Sequence, residues 1–327
     1  MKRAEVLNRL GYKVPANKQN RLVILSDIAC EADDQFAIAQ HLLTPSSDVK
    51  AIVAGHFEWR FHAIEKLKPY QGTSMLKSFA EGQKLLELMK IDDVPLLKGS
   101  QTMLASPEDC PPSEGADFIV REALREDERP LYIAIQGSLT DLAIAYNREP
   151  RIADRLTAIW IGGAQYPEGG DETNLRNDLL AAKVVFASPI PIWQIPINVY
   201  ANMELSLAEL VDRVRPNGEI GAYLCEQMLT LNEWYGRVTA GKRYDFPHGE
   251  SWSIGDKPTV SVLLQNKSLK CWHIETAPQI GDDGSYTPNP GGKPIRVYDW
   301  VDVRMTLEDL YAKLRLCYGE NSGVHAE

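Results

Sequence analysis

Short unbroken runs of apolar residues alternate, through about residue 195, with stretches in which apolar positions return every three or four residues. The unbroken runs fall at 22–25, 49–54, 131–135, 156–161 and 191–195; short and nearly continuous, they predict strands buried on both faces. The periodic stretches at about 34–43, 74–90, 115–126, 139–147 and 178–187 predict helices. Their alternation predicts an α/β fold: a mainly parallel, Rossmann-like open central sheet with helices on both faces. Ligands of such sheets sit at the carboxyl ends of the strands.

Beyond about residue 200 the pattern changes. Segments 204–213 and 221–234 predict helices, the second with Tyr223, Met228, Leu231 and Trp234 near helical spacing, as core or interface packing requires. Segment 235–254, rich in aromatic and turn residues, predicts a loop over a site or a plain surface connection. The turn-dense stretch 281–292 predicts a hairpin or irregular loop, 295–303 a late strand, and 306–316 a final helix capped by Thr306 with Asp309 three residues on. With no internal repeat or low-complexity linker, residues 1–327 read as a single domain with a helical and loop-rich cap at about 200–255.

Composition narrows the classes. The chain has 327 residues, 44% of them hydrophobic, which supports a sizeable core. A formal charge of -10 argues against nucleic acid or an anionic membrane as partner. No apolar stretch approaches the roughly 20 residues of a membrane span. The charged segment 1–6 lacks the apolar heart of an export signal. Cys30, Cys110, Cys225, Cys271 and Cys317 are scattered with no Cys-x-x-Cys pair, which suits reduced thiols. The expectation is a cytoplasmic protein.

Candidate chemistry concentrates just after the first predicted strand, where Asp27, Glu31, Asp33 and Asp34 crowd into eight residues. So much negative charge at one strand terminus costs free energy unless a cation or hydrogen-bonding ligand compensates it, and oxygen donors of this kind hold calcium or magnesium. Helix capping by Asp33 or Asp34 is the plainer reading of the same residues. Three other segments also stand at strand ends or helix starts. Gln136-Gly137-Ser138-Leu139-Thr140-Asp141 offers exposed backbone groups or an ordinary capping box around Ser138. Gly162-Gly163 is followed by Glu172 and Asn174, which suit sugar hydroxyls, and by Asn177 and Asp178, which suit a cap. Asp256 precedes an apolar helical run and reads equally as a cap. Phosphate-binding glycine loops, Gly-x-Ser-x-Gly and His-x-x-x-His are all absent, which removes support for nucleotide cofactors, an esterase elbow and a histidine metal pair.

Taken in order, these segments resemble the nucleoside hydrolase superfamily, the calcium-dependent N-ribosyl hydrolases. Asp27-Ile28-Ala29-Cys30-Glu31-Ala32-Asp33-Asp34 matches the spacing of the family's Asp-x-Asp-Pro-Gly-x-Asp-Asp. Gly137-Ser138-Leu139-Thr140-Asp141 is similar to its Gly-Pro-Leu-Thr-Asn turn, and Gly162-Gly163, Glu172-Thr173-Asn174 and Gly255-Asp256-Lys257 resemble later motifs. The resemblance implies an N-glycosidase acting on a small nucleoside or sugar-containing substrate, assembled as a homodimer or homotetramer. It implies Ca2+ held by Asp34, Asp256, the Gln136 carbonyl and Asp27 or Glu31. Asp33, Glu172 and Asn174 would hold sugar hydroxyls, a carboxylate such as Glu31 would take a proton from water, and His56 or His248 would protonate a leaving group over which Trp252 could stack. His56 lies where an early family asparagine would stand. Two departures matter: Ala29 replaces a family aspartate that ligates calcium and orients water, and Gly255 replaces a histidine that helps the base depart. The alternative is therefore a catalytically degenerate sugar- or nucleoside-binding protein on the same fold.

Overall fold

In the computed structural model, which describes residues 1–59, 68, 71–238, 249–265, 270–320 and 322, with backbone alone for 234–238, the first apolar run becomes β1 (Asn20–Ser26). All seven of its positions are buried. β2 (Ser47–Ala54) pairs with it in parallel on one side, and β3 (Leu96–Lys98) pairs with β2. On the other side β4 (Leu131–Gln136), β5 (Thr157–Ile161) and β6 (Ile192–Ile195) continue the parallel set. The chain thus builds outward from β1 in one direction and then in the other, so β1 and β4 flank the point where strand order reverses. Loops leaving the carboxyl ends of two such strands diverge and open a crevice between them.

The predicted helices form at Asp34–Leu42, Ser74–Leu88, Glu114–Ala123, Thr140–Arg148 and Leu179–Ala187. They cover both faces. Leu22 and Ile24 of β1 enter one core with Phe36 and Ile38, while Val23 and Leu25 enter the other with Ile119 and Leu142. That period of two explains why the strand reads as one continuous apolar run.

The later region departs from expectation. Residues 204–213 are not one helix: β7 (Glu204–Ser206) comes first, paired antiparallel with β8 (Ser251–Ser253), and a helical turn capped by Ser206 follows. The long helix Gly218–Val238 forms as predicted, with Met228 buried. β9 (Trp272–Thr276), which the pattern did not reveal, is the antiparallel edge of the eight-stranded sheet. The turn-dense stretch carries a small hairpin of β10 (Gln279–Ile280) and β11 (Tyr286–Thr287). β12 (Pro294–Tyr298) inserts between β6 and β9. The last helix, Val303–Tyr318, starts earlier than predicted because the Asp302 carboxylate, not Thr306, accepts the Met305 N–H at 2.9 Å. Among the described residues no helix is long and apolar enough to cross a membrane.

Candidate functional site

β1 ends at Ser26 and the chain folds into a tight turn, with the Cys30 N–H donating to the Asp27 carbonyl at 2.7 Å. Two side-chain amides pin the loop. Gln35 Nε2 donates to the Ile28 carbonyl at 2.8 Å, and Gln227 Nε2, from the cap helix, donates to the Ala32 carbonyl at 3.1 Å. The helix then starts at Asp34 with Asp33 in the cap position, yet the Asp33 side chain makes no cap hydrogen bond. Its Oδ2 instead accepts the Asp256 N–H at 3.3 Å. Asp34 accepts the Ser26 hydroxyl. Asp256 leaves its helix, Pro258–Leu264, without a side-chain cap as well. The capping readings of these three acids therefore fail, and their carboxylates meet: Asp33, Asp34 and Asp256 each offer an oxygen within 4.8 Å of the others, all buried.

Electrostatics follow from that packing. Burial is the largest influence and raises all three carboxyls well above the usual range. Carboxylate repulsion adds to it: Glu31 and Asp34 act on Asp33, Asp27 on Asp34, and Asp33 and Asp34 on Asp256. Hydrogen bonds oppose the shift only in part. Three buried carboxylates whose strongest charged neighbours are other carboxylates form an oxygen-rich set suited to a hard cation.

A cavity of about 70 Å³ opens on this cluster, walled by Asp27, Cys30, Glu31, Ile161, Glu172, Thr173, Asn174, Tyr200 and Gly255 with the three aspartates. Asp27, at the end of β1, is held by Asn177 Nδ2 at 3.0 Å. Gly137, at the end of β4, gives it room, since a Cβ there would lie 2.9 Å from Asp27 Oδ1. Glu172 is a helix cap and more: its oxygens accept the N–H groups of Asn174, Leu175 and Gly163 and the Tyr200 hydroxyl, at 2.7–3.0 Å. Asn174 Nδ2 donates to the Ile161 carbonyl at 2.9 Å.

The structure thus brings together Asp27, Glu31, Asp33, Asp34, Glu172, Asn174 and Asp256. It does not bring His56 to the cavity wall. That ring is fully buried beyond β2 with Nε2 on Thr140 Oγ1 at 2.8 Å, and burial lowers its pKa to about 4, so it stays neutral. Trp252 is likewise off the wall, buried in β8 opposite Leu205. Gln136 stands at the end of β4 beside Ser26, with its side-chain amide on Thr259 Oγ1 at 2.9 Å rather than in the cavity. His248 lies outside the described residues. Nor does Ser138 cap its helix: its hydroxyl pairs with Thr140, and Asp141 accepts from Ser100 and Ser113.

Sequence reasoning did not place Ser26, Cys30 or Tyr200 in the site, and it read Asn177 as a helix cap, whereas its amide donates to Asp27. Tyr200 follows the carboxyl end of β6, which was the one available signal. Two of the roomier clefts among the described residues lie elsewhere. The one of about 590 Å³ is lined by Arg213 and Tyr311, but Arg213 is already paired with Glu308 and stacked on that tyrosine. The other, of about 420 Å³, is lined by Lys98 and Arg148, the latter paired with Asp117.

Comparison with known proteins matches residues 68–308 to the family described as inosine-uridine preferring nucleoside hydrolase. A pyrimidine-specific ribonucleoside hydrolase, RihA, from Salmonella paratyphi B is 24% identical over 296 residues, covering 81% of this chain and 86% of the relative. Among solved structures, the purine-preferring ribonucleoside hydrolase from Gardnerella vaginalis superposes with a TM-score of 0.71 at 17% identity, over 91% of this chain and 99% of that one. The type III effector XopQ, solved with adenosine diphosphate ribose, gives 0.67 at 12% identity over 96% and 98%.

Proposed function

The chain belongs to the inosine-uridine preferring nucleoside hydrolase family, and from that premise we propose that it hydrolyses the N-glycosidic bond of a ribonucleoside or related ribosyl compound, with calcium held by Asp33, Asp34 and Asp256. One observation carries the reading: three buried carboxylates, within 4.8 Å of one another, face a cavity at the point where strand order reverses. Like charges packed this closely are unfavourable without a cation, and an all-oxygen donor set suits calcium. The Gln136 carbonyl is proposed to complete the shell from the neighbouring strand end.

When bound, calcium supplies positive charge that holds sugar hydroxyls and lowers the pKa of a water. The remaining work falls to the chain. Asp27, oriented by Asn177, is the proposed acceptor of the water proton, and Glu31 supplies a second carboxylate on the loop where Ala29 has none. Asn174 and Glu172 line the side where sugar hydroxyls would lie. As the bond to the base lengthens, positive charge grows on the sugar ring, and the surrounding carboxylates favour it.

Ala29 supports a second reading, a binding protein that kept the pocket and lost turnover. A screen of purine and pyrimidine ribonucleosides for ribose release, with calcium and with a chelator, separates the two. Release that needs calcium and disappears in Asp34→Ala is expected. Calcium and ribose binding without release from any nucleoside would establish the binding protein. We also propose a cytoplasmic homodimer or homotetramer, which light scattering of the purified protein checks.

A further inference from the structure

We propose that Tyr200 is the gate of this site: its phenol occupies the one exchangeable hydrogen-bonding position on Glu172, and a sugar hydroxyl reaches that carboxylate only by displacing it. The inference rests on the sugar-binding reading above and adds what decides entry.

An ionised carboxylate offers about four lone-pair positions. Glu172 has four donors on them. Oε2 accepts the Gly163 N–H at 2.7 Å and the Leu175 N–H at 2.9 Å, while Oε1 accepts the Asn174 N–H at 3.0 Å and the Tyr200 hydroxyl at 2.8 Å. Three of these donors are backbone amides, fixed by the end of β5 and the first turn of the helix Thr173–Asn177. The phenol alone can leave by side-chain rotation. A hydroxyl of a ligand is chemically equivalent to it, so the two compete for one position.

Space gives the same answer independently. Tyr200 lines the cavity, which holds about 70 Å³, a few waters' worth. Sites for small molecules start at roughly 300 Å³. The ring lies where a side chain on residue 255 would project: a Cβ on Gly255 would stand 2.8 Å from Tyr200 Cδ2 and 3.3 Å from Cε2. Gly255 therefore creates the room that the tyrosine fills. The glycine at 255 and the phenol at 200 are one device, and withdrawing the ring opens the cavity beside Asp33 and Glu172.

Calorimetry of calcium and then of ribose on the wild type, Tyr200→Phe and Tyr200→Ala tests this. Phenylalanine keeps the ring against Gly255 and removes only the donor, so the melting temperature should fall by no more than the few degrees that one hydrogen bond is worth, while ribose binds about tenfold more tightly, the order expected for releasing a bond to a charged acceptor. Alanine, which also clears the space, should bind ribose at least as tightly as phenylalanine does. Calcium affinity should be the same in all three, a result that distinguishes gating from general loosening. Equal or weaker ribose binding by Tyr200→Phe overturns the gate. So does the absence of ribose binding in all three proteins with calcium bound, although the metal site then stands. Absence of calcium binding in all three overturns the underlying reading and the gate with it.

Discussion

Replacing Asp256 with asparagine should make the protein more stable without calcium and less stable with it. The substitution keeps the shape of the side chain and the backbone N–H that binds Asp33, and removes one charge from the cluster. At a separation of 4.8 Å and an effective dielectric of about 20, two unit charges repel by about 3.5 kcal/mol, and neutralising Asp256 removes two of the three pairs. The real gain is smaller, because in the calcium-free protein a carboxyl escapes repulsion by taking a proton. Burial, and then the repulsion of Asp33 and Asp34, hold the Asp256 carboxyl well above its ordinary range, so protonation already relieves part of the repulsion that the change removes. The sign follows from linkage. The folded pKa lies above the unfolded one, so the folded state binds the extra proton, and this group favours folding less as pH rises. The gap between variant and wild type should therefore widen as pH rises above the ordinary carboxylate range, by at most about 1.4 kcal/mol per pH unit for one group. Differential scanning calorimetry in EDTA and in calcium, at several pH values, measures it. The difference between the two proteins cancels the histidines and lysines that titrate in the same range. In EDTA near pH 7 the variant should melt higher than the wild type, by about 2 °C for each kcal/mol of repulsion removed. In calcium at about 1,000 times its dissociation constant the wild type gains about 4 kcal/mol, and the variant should lose most of that advantage. A variant that melts lower than the wild type in EDTA, or a gap that does not change with pH, would refute the argument that these carboxylates repel one another.

Ala29→Asp restores a carboxylate on the cavity loop. It should tighten calcium binding by roughly tenfold, one added charge near the site, as read by calorimetry; weaker binding would show that the loop no longer turns that position toward the cluster. Asn177→Ala removes the amide that donates to Asp27 at 3.0 Å, so the rate of nucleoside hydrolysis should fall about 10- to 100-fold with little change in KM. Equal loss in both parameters would place Asn177 in substrate binding instead. His56 has its folded pKa lowered to about 4 from 6.5, so its contribution is intact above about pH 6.5 and is lost as pH falls toward 4, at about 1.4 kcal/mol per unit. His56→Gln, which does not titrate, should flatten the acid side of the stability profile by that slope.

The period of the apolar positions, by itself, determined most of the fold. β1, β2 and β4–β6 and their helices are legible because each is buried on both faces or along one stripe, and burial leaves a signature in neighbouring residues. β9, the exposed edge, and the short β7 left none, since their partners lie far away in sequence. The cluster at the end of β1 was legible as a concentration of acids in register with later motifs. What the sequence left open was which of those acids cap helices and which meet. Capping and cation binding call for the same residues at the same places, and only the path of the chain, which carries Asp256 across to Asp33 and Asp34 and turns all three away from their helix ends, decides between them. The same holds for Tyr200 and Gly255. Fifty-five positions separate them, and nothing local in either marks that one fills the space the other leaves.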